Sequence, residues 1–453
     1  MTSMLHREVM DPRPVVPDLV TVPVAAGATV LIASDLHLRA DSSSITAHVE
    51  EVMVARLKQL RAPAVVVLAG DIIELLGEPG LRPKDAFAAH AELTAAIRGV
   101  AATEGCSVVE LVGNHDGDLA WDHDAAAEVR AATGATLALA SDLVVQTEAG
   151  SCKIRVEHGN RFDPYNCFRD IRTPLDTPLG HHVVRELLPV VTQVGQGWLD
   201  GATDLADPPD FPSFVGSRLA YRRLAGHLRW LVLPLLALLV LLRVPLVLLV
   251  TNRLPEDVQD WMRRTALLGL ALIVDVLVVV FIIAVLLRRS WQALRTLDLS
   301  GRGWGQNDAS RAETARLIED GYIGLVCGHS HRPELTAIAS DAAESIAGKG
   351  FFANAGSCTP VVEAVPGRFG MPPIYLRYLQ ISWIELHCYP HVDVSLHLAK
   401  IPLPGATALE RILAKGPRQV LRDPVQVAAW PGTKADPKAR SPRPTRGRRT
   451  PPP

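Results

Sequence analysis

Five short motifs place oxygen and imidazole side chains at the ends of apolar runs: Asp35-Leu36-His37, Gly70-Asp71, Gly113-Asn114-His115-Asp116, His158-Gly159-Asn160 and Gly328-His329-Ser330-His331. Taken singly, an acid two residues from a histidine is a common coincidence. As an ordered series the five point to metal binding, because i, i+2 pairs in a loop can reach a common centre. Carboxylate, amide and imidazole donors suit Mn²⁺, Fe²⁺ or Zn²⁺ better than Ca²⁺, and thiolates are absent from the set. The six cysteines are scattered singly with no CxxC pair, which excludes a zinc knuckle and argues against a disulfide scaffold.

The elements that must position these residues read as short strands. TVLIAS runs into Asp35, AVVVLAG into Asp71, SVVELVG into Asn114, KIRVE into His158 and YIGLVCG into His329. Between them, Ser44 to Leu60 and Lys84 to Thr103 carry the apolar spacing of amphipathic helices. The alternation predicts an α/β fold, with chemistry at the carboxyl ends of the strands. ELTAIA, FFANAG, ISWIELHCY and VDVSLHLA follow as further strands and suggest a second sheet packed on the first.

The order and identity of these motifs resemble the calcineurin-like metallophosphoesterases over most of the chain from Val30 to about Leu398. SDLHL, AGDIIEL, GNHD, EHGNRFD and CGHSHRPE are most similar to the UDP-2,3-diacylglucosamine pyrophosphatase group and its relatives. The resemblance implies a four-layer α/β/β/α sandwich and two divalent metal ions, Mn²⁺ first and Fe²⁺ or Zn²⁺ as alternatives. It implies that Asp35, His37, Asp71 and His331 hold one ion, that Asp71, Asn114, His158 and His329 hold the other, and that Asp71 bridges them. Hydroxide activated between the ions would then attack phosphorus in line. In the lipid A enzymes the residue after the asparagine is typically arginine, whereas His115 matches other members, in which it contacts the phosphate and can protonate the leaving oxygen. Asp116 either fixes the His115 tautomer or caps a turn. Asn160, Arg161 and Asp163 are candidate substrate contacts or turn residues, and the Asn354 to Ser357 segment would support the site from behind. His181 and His182 read as surface histidines.

Two apolar stretches, 230–250 and 266–287, are each long enough to cross about 30 Å of hydrocarbon and interrupt the domain between His158 and His329. They predict a transmembrane hairpin, with Arg243 and Asp275 at matching depths as a pair. Arg222, Arg223, Arg229, Arg288, Arg289 and Arg295 flank the domain side of the hairpin, against Arg253, Arg263 and Arg264 mixed with Glu256, Asp257 and Asp260 in its loop. The bias predicts a two-span protein of the cell membrane with a cytoplasmic catalytic domain. The first nineteen residues carry charges and no apolar core, so a signal peptide is not expected there. The expected organisation is a 1–28 extension, a first domain part at 29–172, a connecting insertion at 173–229, the hairpin at 230–287, a second domain part at 288–430 and a disordered basic tail at 431–453.

The chain has 453 residues, 48% of them hydrophobic, with 46 basic and 48 acidic side chains. Wholesale disorder is excluded by that apolar content. Seven of the basic residues lie beyond Thr433 with only Asp436 opposing them, so the body is net acidic and is no nucleic-acid platform. The leading expectation is a membrane-tethered dimetal phosphoesterase or pyrophosphatase that acts on a phosphorylated substrate, including a lipid or nucleotide-linked lipid. The alternatives are an anchored phosphodiesterase or phosphoprotein phosphatase with a soluble substrate, and a non-catalytic scaffold. Oligomeric state is not legible from the sequence.

Overall fold

The computed structural model describes residues 14–194, 197–205, 210–224, 255–296, 307–339, 349–415 and 420–431, with isolated positions at 234, 237 and 241. The fold is mixed α/β, with two sheets and flanking helices. In chain order the strands are β1 (Leu19–Val24), β2 (Thr29–Ala33), β3 (Ala64–Leu68), β4 (Cys106–Leu111), β5 (Thr136–Ala138), β6 (Ala140–Thr147), β7 (Gly150–Glu157), β8 (Tyr322–Cys327), β9 (Glu334–Ala339), β10 (Lys349–Asn354), β11 (Pro360–Val365), β12 (Ile374–His387), β13 (Asp393–Pro402) and β14 (Leu421–Trp430). The helices are α1 (Ser44–Gln59), α2 (Pro83–Ala89), α3 (Ala91–Ala101), α4 (His123–Thr133), α5 (Leu179–His182), α6 (Leu188–Val194), α7 (Phe211–Arg218), α8 (Glu256–Thr296), α9 (Asp308–Glu319) and α10 (Ala408–Leu413).

One sheet runs β1-β6-β7-β8-β10-β9, and the other runs β14-β13-β12-β2-β3-β4-β5 with β11 paired to β12. β2, β3, β4 and β5 are mutually parallel, as are β7 and β8, so their carboxyl ends point one way within each sheet. Side-chain alternation splits each strand between two cores. Val30 and Ile32 of β2 join Val67, Leu143, Val156 and Phe351 in a core shared by strands of both sheets. Leu31 and Ala33 instead join Met53, Phe87, Ile97 and Val129 of the helices α1 to α4. On the six-stranded sheet, Leu325 and Phe352 meet Leu317 of α9. Because both faces are covered, the central strands read as unbroken apolar runs, and all five residues of β3 are buried.

The structure corrects four sequence expectations. The 1–28 stretch is not merely an extension, because β1 pairs in parallel with β6 from Leu19 to Val24. The helix expected from Lys84 to Thr103 is two helices broken at His90, whose buried ring binds Glu50 through Nδ1 at 2.5 Å and faces the Arg39 carbonyl at 3.1 Å. The downstream strands do not form a sheet of their own. β9 and β10 extend the sheet of β7 and β8, while β12 pairs antiparallel with β2 and adds β13 and β14 to the other. Finally, the helix of the second apolar stretch starts at Glu256, ten residues earlier than expected.

Glu256 to Leu286 of α8 is long and apolar enough to cross a membrane, and nearly all of it is exposed. The 230–250 stretch, Arg243 included, lies outside the described residues apart from the three isolated positions, and so does the tail from 432. The connecting insertion folds into α5, α6 and α7 with intervening turns. Phe214 of α7 packs on Val362 and Tyr375 in a side core next to the first half of β12.

Candidate metal centre

All five motifs converge at the carboxyl ends of β2, β3, β4, β7 and β8. Asp35, His37 and His331 form one group of donor atoms close enough to share an ion. His37, Asp71 and His115 form a second, and Asp71, His158 and His329 a third. Asp71 belongs to two of these groups, the position expected of a bridging carboxylate. Asn114 joins through its Oδ1, 3.1 Å from His158 Nε2.

The backbone is bent to bring these side chains inward. Among the described residues six non-glycine positions have positive φ, and five of them are Asp35, His37, Asp71, His329 and His331, at 48° to 67°. That conformation strains an L-residue and persists only where the surroundings hold it, characteristically at functional sites. Glycines make room for the ligands. A Cβ at Gly113 would lie 2.2 Å from Asp71 Oδ1, and one at Gly70, where φ is +92°, would lie 2.5 Å from the His158 ring.

The hydrogen bonds behind the imidazoles fix which nitrogen faces the centre. His158 Nδ1 donates to the Ala69 carbonyl at 2.9 Å, so in the neutral ring the Nε2 lone pair points at Asp71 Oδ2 and Asn114 Oδ1, both 3.1 Å away. Three acceptors facing one another require a proton or a cation between them. His37 Nδ1 donates to Glu74 at 2.7 Å, which leaves Nε2 directed inward; that atom and Asp35 Oδ1 are buried without a hydrogen-bond partner. Asp35 Oδ1 also lies 3.2 Å from His331 Nε2, while Asp35 Oδ2 accepts from the His329 amide at 2.9 Å. His329 Nε2 donates to Asp163 at 3.0 Å and thereby turns Nδ1 toward Asp71 and His158. Orphaned acceptors on buried carboxylates and on oriented imidazoles are the donor chemistry of a divalent-ion site, and the residues present fit it.

The electrostatics agree. Burial opposes ionisation of Asp71 and Glu74, yet their histidine neighbours hold both carboxyls well below the usual range. Burial would lower His158, but Asp71 and Asp35 raise it to about 10. A pocket that draws a proton so strongly onto imidazole has the field to draw a cation.

Glu74 is the site residue that the sequence reading missed. Its Oε1 accepts from His115 Nδ1 at 2.8 Å and its Oε2 from His37 Nδ1 at 2.7 Å, so one buried carboxylate orients two imidazoles. The signal was present: an acid inside the apolar run Ile72 to Leu76, three residues after Asp71. Asp116 does not touch the His115 ring. It accepts from the amides of Gly113 at 2.6 Å and Ile72 at 2.8 Å, the turn-capping alternative.

All three candidate substrate contacts have other work. The Asn160 amide donates to the Asn166 carbonyl, and Arg161 is held by Glu157 and Glu313. Asp163 supports His329 instead. Asn354 binds the Gly328 carbonyl at 2.6 Å and Ser330 Oγ at 3.0 Å, which braces the 328–331 loop from behind as expected. His181 is not a plain surface residue. Its half-buried ring stands edge-on to Phe168, and burial, with Arg185 and His115 nearby, pushes its pKa down to about 4. All six cysteines are free thiols.

No protein-family model matches the chain, and no curated protein matches it with significance.

Proposed function

We propose that the chain is a two-metal hydrolase of phosphate esters or pyrophosphates, built as a four-layer α/β/β/α sandwich of the calcineurin-like metallophosphoesterase type. A two-helix hairpin tethers it to the bilayer with the catalytic domain in the cytoplasm. The observation that carries the reading is the convergence of Asp71 Oδ2, His158 Nε2 and Asn114 Oδ1 beside the orphaned Asp35 Oδ1 and His37 Nε2. Two divalent ions, Mn²⁺ ahead of Fe²⁺ or Zn²⁺, supply Lewis acidity toward phosphoryl oxygens and a nucleophile at neutral pH when bound.

The protein's own groups do the rest. Asp35, His37, Asp71 and His331 present one set of donors, and Asp71, Asn114, His158 and His329 the other. His115, with Nδ1–H donating to Glu74, carries a second proton on Nε2 as the imidazolium, the form that Glu74 and Asp71 favour against burial by raising its pKa to about 9, and can hand that proton to the leaving oxygen. A lipid-linked substrate is favoured over a soluble one by the proposed tether, which confines the site to the neighbourhood of lipid headgroups. Gln380 of β12 donates to the His331 carbonyl, and from there β12 runs back six residues to Ile374, about 20 Å. The loop before it, at Gly370, lies against Arg288 at the end of the apolar part of α8. The metal centre and the base of that helix are therefore linked through the first half of β12.

The test is hydrolysis by the purified full chain with Mn²⁺ against nucleotide-linked lipids and phospholipid monoesters in vesicles, and against soluble phosphodiesters and phosphopeptides. Asp71→Asn should abolish turnover and reduce bound metal. Activity within a few-fold of wild type, with metal content unchanged, would sink the two-metal mechanism. Faster turnover of the soluble panel would replace the lipid reading with that of an anchored soluble-substrate enzyme. His115→Ala should retain metal and lose about 10²- to 10⁴-fold in rate, less for leaving groups that need no proton.

A further inference from the structure

The base of α8 carries an exposed apolar cluster that the catalytic site does not use. Phe369 is 80% exposed and Ile412 is 64% exposed, with Leu409 beside it on α10. The two segments are joined: Gly367 bridges to Ala414, and the Lys415 amide donates to the Pro366 carbonyl. Arg368 and Arg411 stand exposed within the same cluster. Arg288 completes it, since a Cβ on Gly370 would lie 3.5 Å from its Nε.

Phe369 is also strained. It is the one positive-φ residue among the described non-glycines that is not a metal-site residue, with φ 58° and ψ 25°, an uncommon conformation for an aromatic side chain. Strain that turns a phenyl ring out into water gains nothing there. At a membrane interface the same ring gains burial among acyl chains and headgroups, where aromatic residues concentrate. Position supplies the occupant. The apolar part of α8 ends at Leu287, and Arg288 and Arg289 follow at once, which puts the hydrocarbon boundary at the level of Gly370 and Phe369.

We propose that Phe369, Leu409 and Ile412, ringed by Arg288, Arg368 and Arg411, form a foot that rests on the anionic headgroup surface of the bilayer crossed by α8. The proposal builds on the reading of α8 as a membrane span. A tether alone would leave the catalytic domain free to tilt. A second contact fixes its orientation, and with it the placement of the metal centre relative to the bilayer. The basic rim selects anionic lipid, each arginine near such a surface adding attraction that salt screens.

The test uses the full chain with p-benzoylphenylalanine in place of Phe369 or Ile412, reconstituted in phosphatidylcholine vesicles with about one-third phosphatidylglycerol. Leu277, in the middle of α8, and Tyr389, at the far end of β12, serve as reference positions. After irradiation, lipid adducts are expected at 369, 412 and 277 and not at 389. Arg368→Glu combined with Arg411→Glu should lower the yield at 369 at least about threefold while leaving 277 unchanged. Adducts at 277 without adducts at 369 and 412 overturn the foot and leave the span standing. No adduct at 277 overturns the span, and the foot with it. Cross-links from 369 to a second copy of the chain would make the patch a protein interface, and an unchanged yield in the double variant would remove the anionic selectivity.

Discussion

At the scale of single residues, the centre depends on groups that bind nothing themselves. Glu74 is buried and spans His37 and His115, so it sets the orientation of a proposed ligand and of the proposed proton donor together. In Glu74→Gln the amide oxygen can still accept from one imidazole, but the amide N–H₂ then faces the N–H of the other. We expect kcat to fall about 10- to 100-fold, with weaker metal retention and little change in thermal stability, because a buried charge is lost along with its partners' orientation. Turnover and metal content measured on the same preparation check this; kcat within twofold of wild type would assign Glu74 to packing. Ligand types at strand ends were legible in the sequence because their chemistry is carried by residue identity. Glu74 was not, because a lone acid in an apolar run reveals nothing of which rings it will face.

At the scale of elements, the ligand loops are aligned only if helices and strands hold register. Arg56 of α1 forks onto Glu385 of β12 through Nε at 2.6 Å and Nη2 at 2.8 Å, and Trp383 Nε1 donates to the same carboxylate. Burial would raise the Glu385 pKa, but these donors hold it below the ordinary 4.5. Since the folded value is the lower one, the unfolded chain takes up the proton first as pH falls. The contribution is therefore complete above the unfolded carboxylate range and is lost as pH drops through the folded pKa. Arg56→Met should cost about 1–3 kcal/mol at neutral pH. The difference in Tm from wild type should shrink below about pH 4.5. A difference that stays constant from pH 7 to about pH 3 would mean that packing of the arginine stem, not its charge, holds α1 on the sheet.

At the scale of the whole molecule, the proposed membrane tether turns the distribution of arginines into a prediction of which side carries the domain. The residues at the domain end of the apolar stretches are basic, and the start of α8 mixes Arg263 and Arg264 with Glu256, Asp257 and Asp260. Protease added outside intact cells should cut only in the 251–265 region and leave the α/β domain whole. Digestion of the domain under those conditions would reverse the topology. The proposed pairing of Asp275 has its partner Arg243 outside the described residues, and Asp275 itself is exposed on α8.

The sequence alone determined the α/β class, the strands that end in candidate ligands and the identity of the seven converging donors, because these follow from local periodicity and from the chemistry of individual side chains. Tertiary structure decided the rest. That β12 lies antiparallel to β2 while β10 lies parallel to β8 depends on pairings between residues more than twenty and up to several hundred positions apart, which no local pattern encodes. The break at His90 arises because its buried ring is satisfied by Glu50 and the Arg39 carbonyl, both distant in the chain. Arg161 leaves the substrate list for the same reason, since Glu313 reaches it from a helix 152 residues away. Which imidazole nitrogen faces the centre is likewise set by acceptors, Ala69, Glu74 and Asp163, that only the folded chain brings within 3 Å.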